Sequence, residues 1–246
     1  MMDFIALRFD APLMSFGGPV VDQQGVTDFF PGRSLLTGLL GNALGWEHGE
    51  FEKLGALQSA LVYAVRCDRK PQRITDYQTV DLSQPFMQRG WTTWGRPEER
   101  GGGSSDGTHI RFRSFLADGV YTIAFTLDES CTVVSLNDLR AALQEPARPL
   151  FIGRKACIPS GPVYLGSQPT RAENVLDALC RIPPLEDRPG DSNSGRVFDA
   201  QWPDGLDSTA VLDHRLEPVY DERDWTNQIH TGRRFVRRGR IRLMEE

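Results

Sequence analysis

Arg33 stands where the sequence predicts the start of a helix, a position suited to binding phosphate. Residues 35–44 form an apolar run in which leucines recur at helical spacing. The first turn of a helix has unpaired N–H groups and a partial positive charge, so an arginine beside it favours an anion. The alternative is an arginine that points to solvent at the start of a core helix. On this segment alone both interpretations stay open.

Two further cationic segments contain the types of residue that bind phosphate. In residues 151–155, Phe-Ile-Gly-Arg-Lys, a glycine that permits close backbone approach precedes two adjacent cations. In a predicted strand at residues 110–116, alternation places Arg111 and Arg113 on one face and Phe112 on the other. An ordinary solvated strand face is the alternative for these two arginines.

A long insertion, residues 81–107, combines aromatic and cationic side chains without the pattern of a core. It contains Trp91, Trp94 and three arginines, followed by the glycine- and serine-rich residues 101–105. Aromatic rings stack on nucleobases while arginines hold phosphates, and each stacked base is worth about 1–3 kcal/mol. The alternative is a surface loop whose tryptophans pack on a neighbouring protein.

Groups for catalysis or metal binding are sparse. His48, His109, His214 and His230 are far apart, and none stands in a metal-protease or hydrolase motif. The four cysteines have no CxxC pair and no metal-ligand spacing beside a histidine, so we expect a reduced, cytoplasmic protein without metal or other cofactor. No apolar stretch is long enough for a membrane span. A metal-independent ribonuclease that uses a scattered His, Tyr and Lys stays open.

The elements that must position these residues are mainly strands. We predict strands at residues 4–9, 61–67, 74–80, 110–116, 120–127 and 163–165, and helices at 35–44 and 136–143. Ser135 with Asp138 resembles a capping box, and Thr170 with Glu173 predicts the cap of a further short helix through Cys180. This order favours an α+β, ferredoxin-like plan, the split βαβ. An open antiparallel sheet of this kind can present side chains to splayed RNA bases.

The C-terminal part is distinguished by its charge. Residues 186–224 hold eleven acidic residues and four arginines, whereas residues 233–242 hold six arginines and no acid. Residues 182–207, rich in Pro, Asp, Ser and Gly, predict a mobile connector. The formal net charge of -5 argues against a generic nucleic-acid binder, but the 25 Arg against 3 Lys suit contact with RNA. A GC-rich genome gives the same bias without any function.

Several of these segments, taken in order, resemble the CRISPR-associated Cas five family. The resemblance is carried by residues 7–17 (LRFDAPLMSFG), 30–40 (FPGRSLLTGLL), 65–68 (VRCD), 75–80 (TDYQTV) and 151–157 (FIGRKAC). It covers most of residues 4–167 and, more loosely, residues 217–242. The sequence is most similar to the CasD type found in type I-E Cascade.

The resemblance implies a non-catalytic, RNA-binding subunit of a crRNA-guided surveillance complex in antiviral defence. Residues 1–167 would form an RRM-like (RAMP) ferredoxin-like domain with a thumb β-hairpin insertion at about residues 79–113, which bends the guide. Residues 168–246 would form a small β-rich C-terminal extension with the acidic connector and the Arg-rich tail. The implied contacts to the 5′ handle of the crRNA are Met14, Ser15, Phe16, Arg33, Arg113, Phe151, Arg154 and Lys155.

The implied partners are the crRNA, the backbone subunit and the large subunit of Cascade, with target DNA reached only through the complex. One alternative is a repeat-processing endoribonuclease, because type I-C relatives cut their own repeat RNA; His109 and His230 are the residues to test. A second is a general RNA-binding protein outside CRISPR biology.

Overall fold

Strands outnumber helices in the part of the chain that the structure describes. The computed structural model describes residues 1–18, 22–87, 89–91, 96–99, 107–166, 170–185 and 197–244. In chain order the strands are β1 (Met2–Asp10), β2 (Leu13–Met14), β3 (Gln24–Gly25), β4 (Leu61–Arg69), β5 (Gln72–Asp81), β6 (Arg89–Trp91), β7 (Pro97–Glu99), β8 (Thr108–Ala117), β9 (Val120–Leu127), β10 (Thr170–Ala172), β11 (Val197–Pro203), β12 (Val211–Val219), β13 (Glu222–Asp224), β14 (Ile229–Thr231) and β15 (Arg234–Arg242). The helices are α1 (Arg33–Ala43), α2 (Phe51–Ala60), α3 (Leu136–Gln144) and α4 (Val175–Arg181), with a 3-10 turn at Pro85–Met87.

One large antiparallel sheet organises the described residues. Its strand order is β10-β1-β9-β4-β11-β15-β12. The strands predicted at residues 4–9, 61–67 and 120–127 are confirmed as β1, β4 and β9. β11 lies within the predicted connector, so that prediction is wrong for residues 197–203. Because β10, β11, β12 and β15 extend this same sheet, the C-terminal residues share the core of the N-terminal ones.

Helices cover both faces of the sheet. α1, α2 and α3 pack on one face, where Leu40, Leu57 and Leu139 are buried against the apolar residues of β1, β4 and β9. On the other face, Ala6, Ala124 and Ala64 lie side by side across three strands and are buried beneath α4. Small side chains allow α4 to approach closely, so this face of β1, β9 and β4 is not open to RNA.

The predicted helices are confirmed as α1, α3 and α4, but the predicted cap of α4 is wrong. The capping box of α3 is present, since the Ser135 hydroxyl accepts from the Asp138 N–H and the Asp138 carboxylate accepts from the Ser135 N–H. Thr170 lies in β10 instead, and the Asn174 side chain caps α4. The sequence pattern did not predict α2. None of the helices described is long and apolar enough to cross a membrane.

The insertion begins on a long β-ribbon formed by β5 and β8, which confirms the strands predicted at residues 74–80 and 110–116. The two strands pair from Gln72 opposite Ala117 to Asp81 opposite Thr108, and β2 and β3 add to the other side of β8. The rings of Tyr77 and Phe112 lie 5.5 Å apart on this ribbon. Trp94, residues 101–105 of the insertion and residues 186–196 of the predicted connector lie outside the described residues.

The Arg-rich tail forms β15, and carboxylates neutralise most of it. Its neighbours β11 and β12 supply or flank all the acidic partners except Asp28, and four of the six arginines at residues 233–242 form ion pairs with residues that the structure describes. The pairs are Arg234–Asp221, Arg237–Asp204, Arg238–Asp28, Arg238–Glu217 and Arg240–Asp213. The positive charge of the tail and the negative charge of the acidic segment therefore neutralise each other. The arginine bias in the tail does not indicate contact with RNA.

Candidate RNA interface

A cleft of about 460 Å³ lies beside the start of α1. Segments far apart in sequence line it, among them residues 15–18, 34–42, 151–155 and 223–230. Five of the eight predicted contact residues meet there: Ser15, Phe16, Phe151, Arg154 and Lys155. The fold thus brings most of the predicted site together.

Gly153 explains how two of these segments come so close. Its φ is +103°, and a Cβ at this position would overlap the backbone carbonyl of Ser15. The Ser15 N–H donates to the Ile152 carbonyl at 3.1 Å, which fixes the two backbones against each other. Only glycine combines this conformation with this contact.

Arg154 lines the cleft, and its guanidinium is held by hydrogen bonds within the protein. Its guanidinium donates to the carbonyl oxygens of Ser114 (2.8 Å) and Gly25 (3.0 Å) and lies 4.8 Å from the centre of the Phe115 ring. Burial, and then the charge of Arg113, lowers the pKa of Arg154. Arg113 is exposed on β8 and lies close enough to act on Arg154, so two cations adjoin this end of the cleft.

The charge of the cleft is positive although the chain is acidic overall. Arg154, Lys155 and Arg223 line it, and none of the described lining residues is acidic. The formal net charge of the chain is -5. Lys155 is exposed and forms no ion pair with any residue that the structure describes. A cleft of this charge favours an anionic ligand.

The start of α1 binds an anion, but that anion belongs to the chain itself. The Arg33 N–H donates to the Asp221 carboxylate at 2.9 Å, and the Ser34 N–H donates to the Asp221 carbonyl at 2.9 Å. The Arg33 guanidinium donates to Glu222 at 2.6 Å. The Asp221 carboxylate therefore occupies the position at which we predicted phosphate binding. Arg33 is not among the residues that line the cleft.

Met14 and the α1 glycines have packing roles. The Met14 side chain is fully buried in the core. A Cβ on Gly41 would come within 2.7 Å of Leu54, so this glycine lets α2 approach α1 closely. Gly38 faces Trp225, and a Cβ on this glycine would lie 3.7 Å from the indole.

Among the lining residues outside the predicted RNA contacts, four have aromatic or cationic side chains: His48, Arg223, Trp225 and His230, the last named only for the endoribonuclease alternative. Three of them come from β13, β14 and the turn between them, more than 180 positions after α1 begins. Their sequence context has no phosphate-binding pattern, so only the tertiary fold reveals them. Burial, and then the charge of Arg223, lowers the pKa of His230, which keeps this imidazole neutral at neutral pH.

Known proteins resemble the chain in sequence and in fold. Residues 4–237 match the family model described as CRISPR-associated protein (Cas_Cas5). The chain is 31% identical over 185 residues to the CRISPR system Cascade subunit CasD of Escherichia coli (strain K12), which covers 75% of this chain and 79% of that protein.

Two solved structures share the fold. A chain of a CRISPR RNA-guided surveillance complex aligns with a TM-score of 0.65 and 24% identity, covering 97% of this chain and 90% of that one. A structure described as a Cas protein aligns with a TM-score of 0.64 and 24% identity, covering 98% and 95%. On the family match and the CasD relative together, the chain belongs to the CRISPR-associated Cas5 family.

Proposed function

We propose that this chain is a non-catalytic subunit of a type I-E crRNA-guided surveillance complex and that its cleft holds the 5′ handle of the crRNA. The observation that carries the proposal is the cleft itself, lined by three cations and by no described carboxylate in a chain of net charge -5. RNA supplies an acceptor-rich, anionic backbone that such a cleft suits. Kinship with a Cascade subunit supports the same role.

The sheet order supports a ferredoxin-like domain of the RAMP type. β10, β1, β9 and β4 are adjacent, and the chain joins them in the succession strand, helices, strand, strand, helix, strand. In this proposal residues 1–167 are the RNA-binding domain and residues 168–246 the extension, which supplies β10 as the last strand of the ferredoxin-like sheet. The ribbon of β5 and β8 is the base of a thumb at about residues 79–113.

Each predicted contact has a distinct part in this proposal. Lys155 at the rim meets phosphate directly, whereas Arg154 and Arg113 supply positive potential behind it. The half-buried ring of Phe151 offers apolar surface for a base, whereas the Phe16 ring is buried in the core against Tyr121. Met14 acts through packing, and Arg33 through its ion pair with Glu222. The backbone and large subunits of the complex are the proposed protein partners, in the cytoplasm, and target DNA is reached through the complex.

Lys155→Ala is expected to weaken binding of handle RNA by about fivefold, or about 1 kcal/mol, because one phosphate loses its cation. The probe is a synthetic, fluorescently labelled RNA that carries the repeat-derived 5′ end of the guide, and affinity is measured by anisotropy over a salt series. The slope of log K against log salt should become shallower by about 0.7, the value for one phosphate of a single strand.

Lys70→Ala is the matched control, because Lys70 is also exposed but pairs with Asp199 at 2.8 Å and does not line the cleft. Equal effects of the two substitutions would contradict the assignment of the cleft. RNA that copurifies with the wild type should consist mainly of handle-bearing guides. A random RNA population would favour a general RNA-binding protein.

Two histidines line the cleft, so the endoribonuclease alternative needs its own test. His48 and His230 both line it, whereas His109 lies on β8 and is not among the lining residues. A neutral His230 can accept a proton. We expect no site-specific cleavage when the purified chain is incubated with labelled repeat RNA in EDTA. Site-specific cleavage that is lost in His230→Ala and kept in His214→Ala would show instead that the chain is an endoribonuclease.

A further inference from the structure

One wall of the cleft comes from the ribbon of β13 and β14, which is fixed to α2. The Gln58 amide nitrogen donates to the Arg223 carbonyl at 3.0 Å, and the Arg223 N–H donates to the Gln58 side-chain oxygen at 3.1 Å. This two-way bond sets the ribbon rigidly against the helical layer. Arg223, Trp225 and His230 of this ribbon and its turn then line the cleft.

This wall and the facing loop hold buried donors without acceptors. Ser15 Oγ, Arg223 Nε and Trp225 Nε1 are all buried, and none has a hydrogen-bond partner among the described residues. Ser15 is 2% exposed and Trp225 is 6% exposed. Native proteins pair nearly all of their buried polar groups. Three unpaired donors in one cleft therefore indicate groups that a ligand satisfies.

The chemistry of these groups selects an anion with several acceptor oxygens. An indole and a guanidinium only donate, and a hydroxyl can donate as well. Arg223 adds a positive charge, and its guanidinium has one hydrogen bond within the described structure, to the exposed Gln228 carbonyl at 3.1 Å. Burial lowers the pKa of Arg223. A phosphodiester group matches these requirements, because it only accepts hydrogen bonds and carries a full negative charge.

We propose that Arg223, Trp225 and Ser15 form a subsite for one phosphodiester group of the RNA in the cleft. This inference rests on the proposed function and deepens it, since it makes the C-terminal ribbon part of the RNA interface. The Arg223 side chain leaves the Gln228 carbonyl and turns its Nε toward the phosphate, while Trp225 and Ser15 complete the donor set.

The test combines protein variants with an RNA in which methylphosphonates replace the phosphates one at a time. Each replacement removes one negative charge from the RNA and keeps its length. For the wild-type chain, one replacement in the handle should weaken binding by about tenfold, which is the loss of one charge-assisted contact. In Arg223→Gln, that same replacement should have no further effect, because the contact is already absent.

Trp225→Phe gives an independent result, since it keeps an aromatic ring and removes only the N–H donor. It should weaken binding of the unmodified RNA and reduce the effect of the same methylphosphonate. Arg171→Gln is the control, because Arg171 lies on β10 at the edge of the sheet, where it pairs with Asp3 of β1 and does not line the cleft. Circular dichroism and thermal melting establish that each variant is folded.

The outcomes separate the subsite from the function. If every methylphosphonate weakens Arg223→Gln and Trp225→Phe as much as the wild type, the subsite is overturned, although the Lys155 result still supports the cleft. If the wild-type chain does not bind handle RNA at all, the proposed function fails first.

Discussion

A Gly153→Ala variant is expected to lose about 3 kcal/mol of unfolding free energy, because the new methyl group has no room and the backbone is strained. The φ of +103° at Gly153 is unfavourable for alanine, and the Cβ would overlap the Ser15 carbonyl. The loop at residues 151–155 must then move away from residues 13–18. Urea denaturation gives the loss of stability, and anisotropy with handle RNA should show that affinity falls with it.

Gly161→Ala is the matched control, because a Cβ at Gly161 would meet nothing within 4 Å. This glycine stands in the same segment of the chain, eight positions later. Its replacement should leave stability within about 0.5 kcal/mol of the wild type. A Gly153→Ala variant as stable as Gly161→Ala, with unchanged affinity for RNA, would contradict the described contact between the two loops.

The sequence predicts the parts of this structure that depend on neighbours along the chain. β1, β4 and β9 follow from apolar runs of strand length, and the Ser135–Asp138 box follows from a spacing of three residues. The Gly-Arg-Lys segment is also recognisable locally, but the contact of Gly153 with Ser15 and the bonds of Arg154 to backbone carbonyls are tertiary and follow from no local pattern. All of the local signals lie within about ten residues.

The rest of the site depends on pairings that no local pattern contains. Arg33 and Asp221 are 188 positions apart, and Arg238 and Asp28 are 210 apart. A run of arginines has the same composition whether it faces RNA or carboxylates, and here the register of β15 between β11 and β12 decides in favour of carboxylates. Trp225 and Arg223 reach the cleft only because Gln58 of α2 fixes their ribbon.

Replacing Asp221 with asparagine is expected to cost about 3–5 kcal/mol, because it leaves a largely buried arginine without its counter-charge. The Asp221 carboxylate accepts from Arg234 Nε at 2.8 Å, from Arg234 Nη2 at 2.6 Å and from the Tyr63 hydroxyl at 3.1 Å. It also accepts from the Arg33 N–H at the start of α1. Chemical denaturation at neutral pH measures the loss, and RNA affinity should fall as the end of the cleft at Ser34 loosens.

The acid response of the same carboxylate gives a second measure. Burial opposes ionisation of Asp221, but the hydrogen bonds and charge of Arg234 outweigh it, so the pKa of Asp221 lies below its ordinary value. A carboxyl group with a depressed folded pKa stabilises the fold above its unfolded pKa of about 4, and that stabilisation is lost as pH falls through the folded value. The unfolding free energy of the wild type should therefore decrease more steeply below about pH 4 than that of Asp221→Asn. Asp213→Asn removes an exposed partner of Arg240 and should melt close to the wild type. If Asp221→Asn also melted close to the wild-type temperature, the network around α1 would not hold the C-terminal ribbon against the cleft.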